Sequence, residues 1–182
     1  RKMVASHGMS ISALSNHSDS FLIMGPTGKD TDFIFQGTPE EKIKHGTESL
    51  IRTAQAANAL EVPTVVGYPG VENWGRFFFF PYGEGWSEYE EQFVERFTPI
   101  LDKFQEYGVR FAIEIHPNSF VYDINTAVRA LELVNYHPAL GYNFDPANTL
   151  YLMIDPATLI DTLQDRIYHV HAKDAELAKH NL

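Results

Sequence analysis

The chain has 182 residues, 44% of them apolar, no cysteine and a formal net charge of −10. That length is enough for one domain with a sizeable core, and the composition argues against wholesale disorder. The acidic balance disfavours non-specific nucleic-acid binding, which needs basic patches, and the missing thiols exclude disulfides and cysteine metal sites.

Lys2 to His7, followed by Gly8, reads as the tail of a helix with its terminating glycine. With no initiator methionine and a last strand close to the other end, the chain reads as an internal piece of a longer protein. Met9 to Ser15 alternates and predicts a strand that ends at Asn16 and His17. A loop rich in Gly, Asp and Thr is expected from Ser18 to Gly37. Thr38-Pro39-Glu40-Glu41 then signals a helix start, with Thr38 as N-cap, Pro39 at the first position and Glu41 completing a capping box. Ile43, Leu50, Ile51, Ala54, Ala57 and Leu60 give that helix an apolar stripe. Pro63 ends it, and Thr64 to Gly67 is a short buried strand.

Tyr68 to Gly85 is a long loop carrying Trp74 and the run Phe77 to Phe80. So aromatic a loop could wall a substrate pocket, form a subunit contact or pack as a satellite core. Ser87-Glu88-Tyr89-Glu90 is a second capping box, opening a helix with Phe93, Phe97, Leu101 and Phe104 inward. Pro99 lies inside that helix and Gly108 closes it. Phe111 to Pro117 follows as a strand. Asp123 or Asn125 caps the next helix, whose inner stripe is Val128, Leu131 and Val134. Leu140 to Phe144 is a strand delivering Asp145. Asp155-Pro156 opens a helix with Leu159, Ile160 and Leu163 inward, and Ile167 to Ala172 is the last strand.

Strands thus alternate with helical patterns, which implies parallel pairing with right-handed crossovers. A doubly wound sheet and part of a (β/α)8 TIM barrel both fit. No G-x-G-x-x-G turn or P-loop follows any strand, which weakens a nucleotide-binding version. Residues 1–182 are read as a single partial domain. No run approaches the roughly 18 apolar residues of a membrane span, no signal peptide is visible, and the expected location is cytoplasmic.

Side-chain parity on the strands carries the functional argument. Glu114 shares a face with Ala112 and His116, Asp145 with Gly141 and Asn143, His171 with His169 and Lys173, and His17 with Ser15. Polar groups therefore gather at the carboxyl ends of four strands, the end at which barrel enzymes carry their sites. A carboxylate inside an apolar strand is costly unless a cation or a hydrogen-bond network stabilises it. Glu114, Asp145 and His171 together suit a divalent ion of hard or borderline type: Mn²⁺, Mg²⁺, Co²⁺ or Zn²⁺. His116 and His169 read equally well as substrate or supporting contacts and as packing histidines. Lys173 is a candidate substrate contact or one half of a surface pair with Asp174. No G-x-S-x-G turn or thiol supports a serine or cysteine nucleophile.

The segments ISALSNH (Ile11 to His17), VRFAIEIHP (Val109 to Pro117), GYNFDPAN (Gly141 to Asn148) and IYHVHAKD (Ile167 to Asp174) resemble the sugar phosphate isomerase/epimerase family. This family lies in the xylose-isomerase-like TIM-barrel superfamily, and the resemblance spans strands 3 to 7 of the barrel. It implies that Glu114, Asp145 and His171 ligate a metal and that a fourth ligand, a Glu on the eighth strand, lies outside this chain. The chain by itself is therefore expected to lack turnover. The resemblance also makes Glu114 one of two glutamates that move a proton, and places His17 in the pocket. One departure stands out: relatives commonly carry D-P-S-H where this chain has Asp145 to Asn148. Asn148 can exchange hydrogen bonds with a substrate but is a poor metal ligand and no acid or base.

The expected activity is metal-dependent isomerisation or epimerisation of a small sugar or keto-polyol, by proton abstraction next to a carbonyl through a metal-held enediolate. Glu114 is the candidate catalytic base. His17, His116, Asn148, His169 and Lys173 are candidate substrate contacts. A dehydratase-like lyase and a non-catalytic carbohydrate-binding barrel are the alternatives, and an apurinic endonuclease fits less well. The expected partner is a small carbohydrate, with neither nucleic acid nor membrane; a homo-oligomer is compatible with the sequence.

Overall fold

In the computed structural model, which describes residues 1–72, 89–176, 178 and 180, five strands form one parallel sheet in chain order. They are β1 (Leu14–Ser15), β2 (Thr64–Gly67), β3 (Arg110–Glu114), β4 (Leu140–Phe144) and β5 (Ile167–Val170). The helices are α1 (Lys2–Ser6), α2 (His17–Phe21), α3 (Pro39–Leu60), α4 (Glu90–Glu106), α5 (Ile124–Leu133), α6 (Pro146–Tyr151) and α7 (Pro156–Leu163). Every strand pairs with the next, and the order never reverses as it would at the switch point of a doubly wound sheet. The fold is an incomplete (β/α)8 barrel.

Capping explains why the helices start where they do. Thr38 Oγ1 accepts from the Glu41 N–H while the Glu41 carboxylate accepts from the Thr38 N–H, closing the expected box at α3. Glu61 ends α3 in the left-handed region at φ 54°. Asp123 caps α5 and Asp155 caps α7. Helix α4 starts at Glu90, with Tyr89 at its N-cap position. Ser87 and Glu88, like the aromatic run from Trp74 to Phe80, lie outside the described residues.

The layer between sheet and helices is largely aromatic. Phe93 stacks on Phe97 and Phe120, at ring separations of 4.8 and 4.6 Å, and Phe97 stacks on Phe111 of β3. Burying each such ring contributes roughly 1.5–3 kcal/mol, so the α4–β3 contact anchors the strand that carries Glu114.

Several expectations are corrected. The predicted strand from Met9 shrinks to Leu14–Ser15, because Asn16 turns the chain: its side chain accepts from the Ser20 N–H and caps α2. The segment after Ser18 is not all loop, since it holds the rest of α2 and a 3-10 turn over Lys29–Thr31. On α3 the most buried positions run through Lys42, Gly46, Leu50, Ala54 and Ala57, with Ile43 only half-buried. Gly46 belongs there because a Cβ would lie 2.5 Å from the Asp19 carbonyl oxygen of α2. Ile160 on α7 is 43% exposed, while Leu159 and Leu163 are buried; the helix packs through a stripe too narrow to include it. The short helix α6 follows directly on Asp145, where the sequence pattern suggested no element.

Candidate metal centre

Strand register sets the floor of the site. Glu114 pairs with Asn143, and Asn143 pairs with His169, so three neighbouring strands carry polar side chains at one level. A β-bulge between β4 and β5 interrupts simple alternation: Tyr142 pairs with Ile167, but Asn143 pairs with His169. Tyr168, the extra residue, covers Gly141, where a Cβ would meet its ring at 2.4 Å. Tyr168 therefore lies on the Gly141 face, and not opposite His169 as parity predicts.

Glu114 ends β3 and is 4% exposed. Its Oε2 accepts from His17 Nε2 at 2.8 Å and lies 3.3 Å from His171 Nδ1. Its Oε1 accepts from Asn148 Nδ2 at 2.8 Å and lies 3.7 Å from Lys173 Nζ. Asp145, also buried, caps α6: its Oδ1 accepts from the N–H groups of Ala147 and Asn148. Its Oδ2 faces His171 Nδ1 at 3.2 Å and Lys173 Nζ at 2.5 Å. The tightest potential ligand set among the described residues is His17, Glu114 and His171, whose ligand atoms all lie within 4.8 Å of one another. Asp145 adjoins this set through His171 and Lys173.

Charge explains the titration behaviour. Burial pushes the Glu114 carboxyl up, but the hydrogen bond and charge of His17, aided by His171 and Lys173, outweigh it and hold the group well below the usual carboxylate range. The hydrogen bond to Asp145 raises Lys173. Burial lowers His116 and His169. His17 is oriented from its far side by Ser15 Oγ, 2.5 Å from Nδ1.

The remaining candidates are spread around this centre. His116 lies beyond the ladder of β3, stacked on Tyr68 at 4.7 Å, with its Nδ1 accepting from the Asn118 N–H. His169 meets His171 edge-on at 5.8 Å. Beside His17 opens a cavity of about 370 Å³, walled by Phe21, Phe33, Ile34 and Tyr68 on its apolar side and by Ser18, Asp30, Thr31 and Asn118 on its polar side. That volume falls within the range of small-molecule sites.

Sequence reasoning missed two participants. Tyr68 stands between His17 and His116, and burial and then the charge of Glu114 raise its phenol. Asn143 is fully buried, and neither its Oδ1 nor its Nδ2 has a hydrogen-bond partner among the described residues. Asn143 does share the face of Asp145 in the sequence, and that parity was the available signal. The donor set fits a divalent ion of the expected type: one carboxylate and two imidazoles converge, a second carboxylate adjoins them, and no soft ligand is present. Ion binding there would require the imidazole nitrogens that face Glu114 to release their protons.

The profile of the family described as xylose isomerase-like TIM barrel matches residues 1–181. The chain belongs to this family. Among curated proteins, this xylose isomerase-like barrel is similar to the 3-oxo-isoapionate decarboxylase of Pectobacterium atrosepticum, 26% identical over 80 residues that cover 44% of the chain and 28% of the relative. Among solved structures it resembles the 3-keto-D-glucoside 4-epimerase YcjR from E. coli, with a TM-score of 0.72, 14% identity, and coverage of 99% of the chain and 68% of YcjR. It also resembles the probable 3-DHS dehydratase AsbF from Bacillus anthracis, with a TM-score of 0.68, 19% identity, and coverage of 97% of the chain and 55% of AsbF. The chain thus matches less than a third of the curated relative's length. At these identities the structural likeness speaks for the fold.

Proposed function

We propose that the protein containing this chain is a divalent-metal-dependent isomerase or epimerase of a small sugar or keto-polyol. The observation that carries this reading is the convergence of Glu114 with His17 and His171, beside Asp145, at the carboxyl ends of the strands. Glu114, Asp145, His171 and His17 are the residues that would hold the ion. A bound divalent ion would supply Lewis-acid polarisation of a substrate carbonyl and offset the negative charge that develops when a proton leaves the neighbouring carbon.

The chain's own groups divide the remaining work. Glu114 would take the proton, and hydrogen bonds from His17 and Asn148, one on each oxygen, hold its buried carboxylate in place. Lys173, half-exposed beside both carboxylates, is placed to bind a substrate oxygen. His116 and Tyr68 present a stacked wall, and the adjoining cavity gives the rest of the substrate room. His169 orients His171 from its edge.

Removal of the same proton can end in loss of a neighbouring hydroxyl, and the similarity to a dehydratase keeps a lyase as the second reading. The test is divalent-ion-dependent exchange of a carbon-bound substrate hydrogen with D₂O, followed by NMR across a panel of keto-sugars, with product analysis separating isomer from dehydrated compound. Exchange that persists after the ion is removed by chelation overturns the metal-dependent reading, and no exchange with any keto-sugar in a protein that binds the ion overturns the enzyme reading in favour of a binding barrel.

A further inference from the structure

Asn148 links the two carboxylates of the site. Its backbone N–H donates to Asp145 Oδ1, while its side-chain Nδ2 donates to Glu114 Oε1 at 2.8 Å and to the Ile115 carbonyl at 3.3 Å. An amide nitrogen has two protons, and both are thereby used. No donor is left for a substrate hydroxyl, so of the expected exchange of hydrogen bonds with a substrate only acceptance by Oδ1 is open in this arrangement.

We infer that Asn148 is a positioning residue that fixes which oxygen of Glu114 serves the ion. The terminal torsion of a glutamate is broad and roughly two-fold, so a free carboxylate can offer either oxygen or both. Here Nδ2 holds Oε1, and Oε2 is the oxygen that faces His17 and His171. Glu114 then meets the ion through one oxygen and keeps the other in a fixed direction. The lock itself is rigid. Asn148 is the third residue of α6, and that helix is pinned at its first turn by Pro146 and by the two N–H groups that Asp145 caps. The amide cannot ionise, so the lock does not open with pH.

The inference rests on the metal-centre reading, and cobalt spectroscopy separates the two. Co²⁺ is titrated into the protein at its natural length and followed by visible absorption, for wild type, Asn148→Ala and Asn148→His. Partners that orient a ligand are typically worth about 10–100-fold in metal affinity. Asn148→Ala is expected to weaken Co²⁺ by that factor and to change the shape of the absorption bands, because the carboxylate becomes free to chelate. Asn148→His, whose Nδ1–H can replace Nδ2–H, is expected to restore the wild-type bands together with the affinity; restored affinity with new bands is ligation by the imidazole itself and counts against the inference. A merely structural role would shift the melting temperature and leave the bands alone; wild-type bands and affinity in Asn148→Ala overturn the inference. If Asn148→Ala does not fold, Asn148→Ser gives the same readout. Wild type that binds no Co²⁺ overturns the metal-centre reading, and the inference with it.

Discussion

Glu114→Gln keeps the shape of the side chain and removes its charge, and its cost can be worked from the contacts. The carboxylate accepts from His17 and Asn148 on different oxygens, each at 2.8 Å. A glutamine has one acceptor and one NH₂: with its oxygen on Asn148 the NH₂ faces His17, a contact that survives only if the imidazole holds its proton on Nδ1 and Ser15 Oγ accepts it, so both charge-assisted bonds are lost as such. Loss of a hydrogen bond to a charged group costs about 1.5–3 kcal/mol. The buried charge also disappears, and with it a desolvation cost that partly offsets this loss. The net loss of metal-free stability is therefore expected at about 1–2 kcal/mol. Ion binding suffers far more: residues that only support a ligand are worth about 10–100-fold, so removal of the anionic ligand itself should exceed the upper end of that range. The sign of the pH dependence follows from the lowered carboxyl. Glu114 contributes stability that is present above its ordinary value of about 4.5 and is lost as pH falls through its lower folded value. The gap between wild type and Glu114→Gln should therefore narrow on acidification. Mn²⁺ titration calorimetry, with urea unfolding at neutral and acid pH, measures all three effects. An unchanged Mn²⁺ affinity, or a stability gap that widens in acid, refutes the reasoning.

Two further outcomes are expected. Lys42 is 1% exposed and donates to the Gly28 carbonyl, Thr31 Oγ1 and Asp32 Oδ1, which ties the wall of the cavity to α3. Lys42→Met should cost about 3 kcal/mol in urea unfolding, near the low end for a broken buried pair because Asp32 can turn to water, and an unchanged midpoint would contradict it. Lys173→Met should destabilise the ion-free protein by leaving Asp145 Oδ2 without its ammonium, yet tighten Mn²⁺ binding by removing a competing cation. A folded Lys173→Met variant with weakened Mn²⁺ binding would show that Lys173 supports the ion rather than competes with it.

The parts of the fold set by local rules were legible in the sequence. Thr64–Gly67 and Leu140–Phe144 span the residues read as strands from the sequence, and the Thr38 capping box gives the start of α3 to the residue. The failures come from tertiary contacts. An apolar stripe cannot reveal that Lys42 is buried, because three acceptors from the loop at residues 28–32 meet its ammonium only in the folded chain. Alternation cannot foresee a bulge, so the position of Tyr168 escaped it. Parity did bring Glu114, Asp145 and His171 to one end of the sheet, but it could not rank His17, which reaches Glu114 from the first turn of α2. That approach depends on Asn16 ending β1 as a helix cap, a choice between strand and helix that two adjacent polar residues leave open.

Charge also bears on what the proposed site would accept. Glu114 and Asp145 are both buried, and Lys173 supplies one full positive charge beside them. With neutral imidazoles the cluster is therefore net negative, which favours a divalent cation and disfavours a second anion. The adjoining cavity adds Asp30 and, among its described lining residues, neither lysine nor arginine. A phosphate ester would bring a charge of about −1.5 to −2 into those surroundings without the arginine or lysine that phosphate recognition uses. A neutral polyol needs only hydrogen bonds and an apolar face to lie against. Ser18, Thr31 and Asn118 offer the first, and the rings of Phe21 and Tyr68 offer the second. The described lining of this cavity therefore suits an uncharged, hydroxyl-bearing ligand better than a phosphate ester.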